Sequence, residues 1–183
     1  MNVLLVRPHL ILALSRRFNS FLHLEPLDLE IVAGGVPPPH RVEILDLSHG
    51  ARPFAVLRRK LASFRPDVVG FGCYSNQASA VRELARAVRR ALPAAKIAVG
   101  GVHASIAPLD LNRPELFDFV VRGEGSVAIR RLLAALEQGK PIADEGVLPV
   151  GTPEFRTLAD NPPPAHPDYR EVAKPRRDLV DRS

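Results

Sequence analysis

The sequence is poor in the residues from which covalent and metal frameworks are built. It has one cysteine, Cys73, so a disulfide network, a paired-cysteine zinc site and an iron–sulfur cluster within this chain are all excluded. A lone thiol suits a reducing compartment. Long apolar runs are also missing. The opening Met1-Asn2-Val3-Leu4-Leu5-Val6 breaks at Arg7 and Pro8, and nothing later reaches the length of a spanning helix, so the expected setting is cytoplasmic and away from membranes. Aromatic residues make up only 5% of the chain. The formal charge of +5 and the Arg82, Arg86, Arg89, Arg90 group therefore have little aromatic surface beside them for base stacking, and Glu83 interrupts them. A solvated basic face is expected there rather than a nucleic-acid site. What remains is 183 residues with 46% apolar content, enough for an ordinary buried core.

Short apolar runs at Asn2 to Val6, Arg41 to Leu45, Asp67 to Phe71, Lys96 to Val99 and Phe117 to Val121 read as strands, and helical periodicity separates most of them. Phe54, Leu57, Leu61 and Phe64 form one stripe behind Pro53. Val81, Leu84, Ala85, Val88 and Leu92 form another, stopped by Pro93, and Ile129, Leu132, Leu133 and Leu136 a third, with Ser126 as its expected cap and Gly139 beyond its end. The first crossover is short, Pro26 to Ala33 before Gly34-Gly35 and three prolines. Such alternation predicts an α/β fold, a Rossmann-like, flavodoxin-like doubly wound sheet of five parallel strands with helices on both faces. Residues 1–145 are expected to form this α/β domain, and 146–183 a proline-rich linker or C-terminal arm.

In such a sheet ligands bind beyond the carboxyl ends of the strands. Those ends are Arg7-Pro8-His9, Asp46-Leu47-Ser48-His49-Gly50, Cys73-Tyr74-Ser75-Asn76-Gln77, Gly101-Val102-His103-Ala104-Ser105 and Arg122-Gly123-Glu124-Gly125. Glycines and small or hydroxyl side chains dominate the last three, which suits a bulky ligand that needs close backbone approach and a few directed hydrogen bonds. Glu124 also stands where a carboxylate would cap the following helix. No catalytic constellation is evident: Cys73 and the serines have no base beside them in the sequence.

Taken together, Val68-Val69-Gly70-Phe71-Gly72-Cys73-Tyr74-Ser75, Val99-Gly100-Gly101-Val102-His103-Ala104-Ser105 and Val120-Val121-Arg122-Gly123-Glu124-Gly125 resemble the cobalamin-binding domain that precedes the catalytic core of cobalamin-dependent radical S-adenosylmethionine enzymes. The resemblance covers roughly residues 1 to 170. It implies cobalamin as cofactor, with its nucleotide tail in a cleft between strand-end loops and its ring over the sheet edge. Tyr74, Ser75 and Gln77 would then line the tail or ring edge, and Gly100 and Gly101 would let the tail pass. His103 and Ser105 would offer polar contacts, and Gly123, Glu124 and Gly125 would form the far wall.

Some cobalamin carriers ligate cobalt through a histidine in an Asp-x-His-x-x-Gly motif after the first strand. Here that loop reads Arg7-Pro8-His9-Leu10-Ile11-Leu12, without the aspartate or the glycine. An imidazole lacking its orienting carboxylate is a poorly tuned ligand, so cobalt is expected without a strong histidine below it, and His9 is only a minor candidate. His23, His40 and His166 are expected in exposed loops. The three-cysteine motif of radical enzymes is absent, so catalysis is not expected from this chain alone. It would instead require a radical S-adenosylmethionine domain, on another polypeptide or missing from this one, with a methyltransferase or cyclase as the whole. Receiver-domain chemistry fails for want of an acidic pair after the first strand, a flavodoxin for want of a phosphate loop, and Gly70-x-Gly72 before Ser75 is a poor dinucleotide fingerprint. The surviving alternative is a degenerate fold of the same type that serves as a protein-interaction module and binds no corrinoid.

Overall fold

The structure is a computed structural model that describes residues 1–9, 25–48 and 52–180. His23 and His49 lie outside the described residues. The strands are β1 (Asn2–Arg7), β2 (Arg41–Asp46), β3 (Val68–Gly72), β4 (Lys96–Gly100), β5 (Phe119–Val121) and β6 (Val147–Pro149). The helices are α1 (Leu27–Gly34), α2 (Pro53–Phe64), α3 (Ala78–Ala91), α4 (Val102–Ile106), α5 (Gly125–Glu137) and α6 (Glu154–Asp160). Among the described residues the strands form one sheet in the order β2-β1-β3-β4-β5-β6, parallel except for the antiparallel β5–β6 pair. The chain order reverses between β1 and β3, the doubly wound pattern expected from the alternation of strand and helix signals.

The central strands are largely apolar because both faces of the sheet are covered. Leu4, Val6, Val69, Phe71, Ile97 and Val99 meet α2 and α3 on one face. Val3, Leu5, Val68 and Ala98 meet α1 and α5 on the other. α2 begins with Pro53, where a missing N–H costs nothing, and stops at Arg65 in the left-handed region (φ 47°), whose N–H donates to Leu61 O. α3 buries Val81, Leu84, Ala85 and Val88 along a single stripe.

Two local expectations are corrected. The cap of α5 is Glu124, whose Oε1 accepts from Ser126 N at 3.0 Å and from Ser126 Oγ at 2.9 Å, so Ser126 sits inside the first turn instead of capping it. The sheet has a sixth strand beyond the five expected. β6 escaped the sequence pattern because it is three residues long and ends in Pro149, tolerable only at a sheet edge. The segment expected as linker or arm from 146 thus first supplies β6 and then α6, whose Phe155 is fully buried, before the proline stretch begins.

That stretch lies back on the body. Arg122, buried just after β5, donates from Nη1 to Leu158 O (2.8 Å) and from Nη2 to Asn161 O (2.9 Å). Burial pushes its pKa below the ordinary guanidinium value, against the opposing charge of Glu145. Further on, Ala173 N donates to Ser126 Oγ and Arg176 N to Glu30 O, tying the arm to α5 and α1. His40 also departs from expectation: its side chain is buried, with Nδ1 3.1 Å from the Met1 amine and Nε2 3.5 Å from Glu137.

Replacing Arg122 by leucine would leave two carbonyls without their donor. Bonds from a charged group are worth about 1.5–3 kcal/mol each, partly offset by relief of guanidinium desolvation. The expected loss is roughly 2–3 kcal/mol in urea unfolding, with a fold that is otherwise retained.

Candidate functional site

The face carrying α1 and α5 is where the sheet runs short of side chains. Register places Leu5, Gly70 and Ala98 on one rung and Gly72 beside Gly100 on the next. The central strands therefore present almost bare backbone beneath α1. The result is a cleft of about 270 Å³, roofed by Asp28, Leu29, Ile31 and Val32 of α1 and walled by Val121, Gly123, Glu124, Gly125 and Ile129. At the mouth Gly101 adopts φ +99°, and a Cβ there would stand 3.0 Å from both Cys73 N and Cys73 O. Any other residue would be strained at 101 whatever the free space. Gly72 differs. A Cβ at 72 would meet only Leu29 Cδ2 at 3.5 Å and Asp28 Oδ2 at 3.8 Å, ordinary contacts across the cleft.

The site residues named from sequence divide into two sets. Gly100, Gly101, Gly123, Glu124 and Gly125 line the cleft, Glu124 with its carboxylate engaged in capping α5. Tyr74, Ser75, Gln77, His103 and Ser105 do not line it; their polar groups stitch the strand-end loops into a rim. Gln77, buried, donates from Nε2 to Pro8 O (3.3 Å) and accepts Tyr74 N at Oε1 (3.2 Å), joining the loops after β1 and β3. Ser75 Oγ lies 3.1 Å from His103 Nδ1, joining the loops after β3 and β4. Ser105 Oγ accepts from Gly123 N (3.1 Å) and donates to Gly101 O (3.2 Å), joining those after β4 and β5. Tyr74 is half-exposed on this rim.

The pairing of Ser75 with His103 supplies a serine with an imidazole neighbour that the sequence did not reveal. His103 is itself buried, with Nε2 3.7 Å from Asp110 Oδ2. His9 lies elsewhere: its ring packs edge-on against Phe54 of α2, centroids 5.9 Å apart, and it is not among the residues lining the cleft. Among the described residues no group of three or more His, Cys, Asp or Glu side chains is placed to hold a metal ion. No helix among them is long and apolar enough to cross a membrane. The roof residues Asp28, Leu29, Ile31 and Val32 were not named from sequence. Their one signal is the Gly34-Gly35 pair that follows them.

The protein-family description "B12 binding domain" matches residues 19–133. The chain belongs to the B12-binding domain family. Cobalamin is the cofactor of such a domain, and the likeness to domains accompanying radical S-adenosylmethionine enzymes holds. Hopanoid C-3 methylase of Methylococcus capsulatus is 34% identical over 165 residues, covering 87% of this chain and 30% of that protein. Among solved structures, the radical S-adenosylmethionine methyltransferase TsrM from Kitasatospora setae, with cobalamin and an iron–sulfur cluster bound, superposes with a TM-score of 0.65 at 21% identity, over 81% of this chain and 30% of that one. OxsB, a cobalamin-dependent S-adenosylmethionine radical enzyme with aqua-cobalamin bound, gives a TM-score of 0.65 at 17% identity, over 88% and 24%. At these identities the two structures establish the shared fold alone. This B12-binding domain spans no more than 30% of the length of each of these relatives.

One chemical property of the rim follows from burial. Desolvation raises the Cys73 thiol to about 11, with Arg82 pulling weakly the other way. Only about one thiol in a thousand would be thiolate at pH 8, and its sulfur is shielded as well. Cys73 is therefore expected to stay silent to Ellman's reagent at pH 8 in the native protein and to react fully once guanidinium unfolds it. Prompt native reaction would show that the rim opens.

Proposed function

We propose that this chain is a cobalamin carrier that takes the nucleotide tail into the α1-roofed cleft and keeps the corrin ring over the rim. The observation that carries this reading is the slot itself. Its volume of about 270 Å³ falls just below the roughly 300–1,000 Å³ range of small-molecule pockets, room for a bicyclic base and not for a macrocycle. Its lining is largely apolar, which suits a flat heteroaromatic. Gly72, Ala98 and Gly100 make the floor flat by having little or no side chain, and Gly101 and Gly123 keep the mouth narrow-walled. When bound, the corrinoid supplies the cobalt for methyl transfer or radical chemistry carried out elsewhere.

The cobalt is held without a protein imidazole beneath it. In support, His9 packs against Phe54 and His103 is buried with its Nδ1 engaged by Ser75. The chemistry is left to a radical S-adenosylmethionine domain, since this chain has one cysteine and cannot hold the cluster such chemistry needs.

Purified protein mixed with hydroxocobalamin and desalted should keep its colour, with a spectrum shifted toward the form whose own base has left the metal. Colourless protein would instead favour an interaction module. Gly72→Val tests the slot directly, because its Cβ fits and its methyl groups project into the space beneath Leu29. Retention should fall at least tenfold while Tm holds or rises, since the substitution fills a void instead of making one. Gly101→Val would be a poorer probe, because backbone strain at φ +99° would cost stability as well.

A further inference from the structure

The arm formed by residues 161–180 reaches both the roof and the wall of the cleft, and it holds on lightly. A Cβ at Gly123 would stand 3.5 Å from Pro164 Cδ. Further along, Ala173 N donates to Ser126 Oγ at 3.3 Å and Arg176 N to Glu30 O at 2.9 Å. The arm's one helical element is the short 3-10 turn Arg177–Leu179, and most of its residues are exposed. A segment with so few buried contacts opens locally at far less cost than global unfolding. Its grip on α1 is nevertheless specific. The tail of that helix is clasped between two neighbours: a Cβ at Gly35 would strike Ser126 of α5, and one at Gly34 would collide with the Lys174 carbonyl, with Ala173 Cβ 3.0 Å away. The three atoms nearest such a Cβ at Gly34 all belong to the arm, and Gly34 itself is not among the residues lining the cleft.

We infer that the arm is a strap whose docking is coupled to occupancy of the cleft: a ligand beneath α1 tightens the arm, and the docked arm tightens the ligand. This rests on the cofactor reading above. α1 is eight residues long and has no side-chain cap, so its position depends on what packs against it. A ligand in the cleft meets Leu29, Ile31 and Val32 on the underside of this helix. The arm holds the same helix at Glu30 O and Gly34. Two events that favour one placement of one helix assist each other, and by linkage the factor is the same in both directions.

The test is chymotrypsin cleavage of the intact chain after Tyr169, which is 77% exposed in the arm; the rate of this cut follows the population of undocked arm. Saturating cyanocobalamin should slow it about tenfold in wild-type protein. Cyanocobinamide, which has the ring but no nucleotide to enter the cleft, should leave it unchanged. Gly34→Ala evicts the arm while giving α1 a better helix former. Its cut should be fast with or without cyanocobalamin, and its affinity for cyanocobalamin should fall by the same factor of about ten, with the far-UV circular dichroism unchanged. Arg176→Pro removes the N–H given to Glu30 O at a residue whose φ of −84° is close to proline's own, and should act in the same direction. Arg176→Ala keeps that N–H and should behave as wild type. Equal cleavage with and without bound cyanocobalamin, equal protection by cyanocobinamide, or wild-type affinity in a variant whose arm is cut fast overturns the inference and leaves the cofactor reading standing. Failure of the wild-type protein to bind cyanocobalamin at all overturns both.

Discussion

The site depends on two helices packed closely against each other on one face of the sheet. A Cβ at Gly35, just past α1, would collide with the Ser126 carbonyl, and one at Gly125 would come within 2.7 Å of Val32 Cγ2. α1 and α5 therefore meet backbone to backbone, and their contact fixes the height of α1 above β3 and β4. Beneath it the strands offer Gly70, Gly72, Ala98 and Gly100 instead of the valines and leucines found elsewhere in the sheet. A roof held by its neighbour and a floor stripped of side chains leave a gap. Were the 270 Å³ closed off and dry, the lost packing would amount to an upper bound of roughly 6 kcal/mol.

The rim works by different physics from the slot. The slot is selective through absence, whereas the rim is rigid through hydrogen bonds that cross from loop to loop: Pro8 to Gln77, Ser75 to His103, Gly101 and Gly123 to Ser105. Each bond is modest alone, but together they pin four strand ends that would otherwise be independent turns. A ligand reaching such an edge meets a surface already ordered, so less entropy is lost when it arrives.

How much of this the sequence disclosed follows the range of the interactions. The strands, the stripes of α2, α3 and α5, and the glycines at strand ends are encoded locally, by period and by residue size, and were legible as such. β6 was not, because three residues ending in Pro149 make no pattern until β5 is beside them. The roof of the cleft was missed for a similar reason. α1 reads from sequence only as a short crossover, and Asp28, Leu29, Ile31 and Val32 acquire a role only through the approach of α5. His40 and His103 sit in stretches that read as exposed or ligand-facing, yet both are buried by partners distant in sequence, Glu137 and Met1 in one case, Ser75 in the other. Polar side chains named as contacts became struts, and that exchange is invisible without the third dimension.

The arm also holds α1 in place. A helix of eight residues with a proline before it and no side-chain cap has little stability of its own. Beyond its contact with α5 it is held by the returning chain: Arg176 N donates to Glu30 O, the Lys174 carbonyl lies against Gly34, and Ala173 N reaches Ser126 Oγ at the start of α5. The same arm is fastened upstream by Arg122, and its Pro164 lies beside Gly123 at the cleft wall. Release of the arm would therefore free the roof as well as the wall. The proline-rich segment is thus a brace on α1, applied by residues more than a hundred positions away from it.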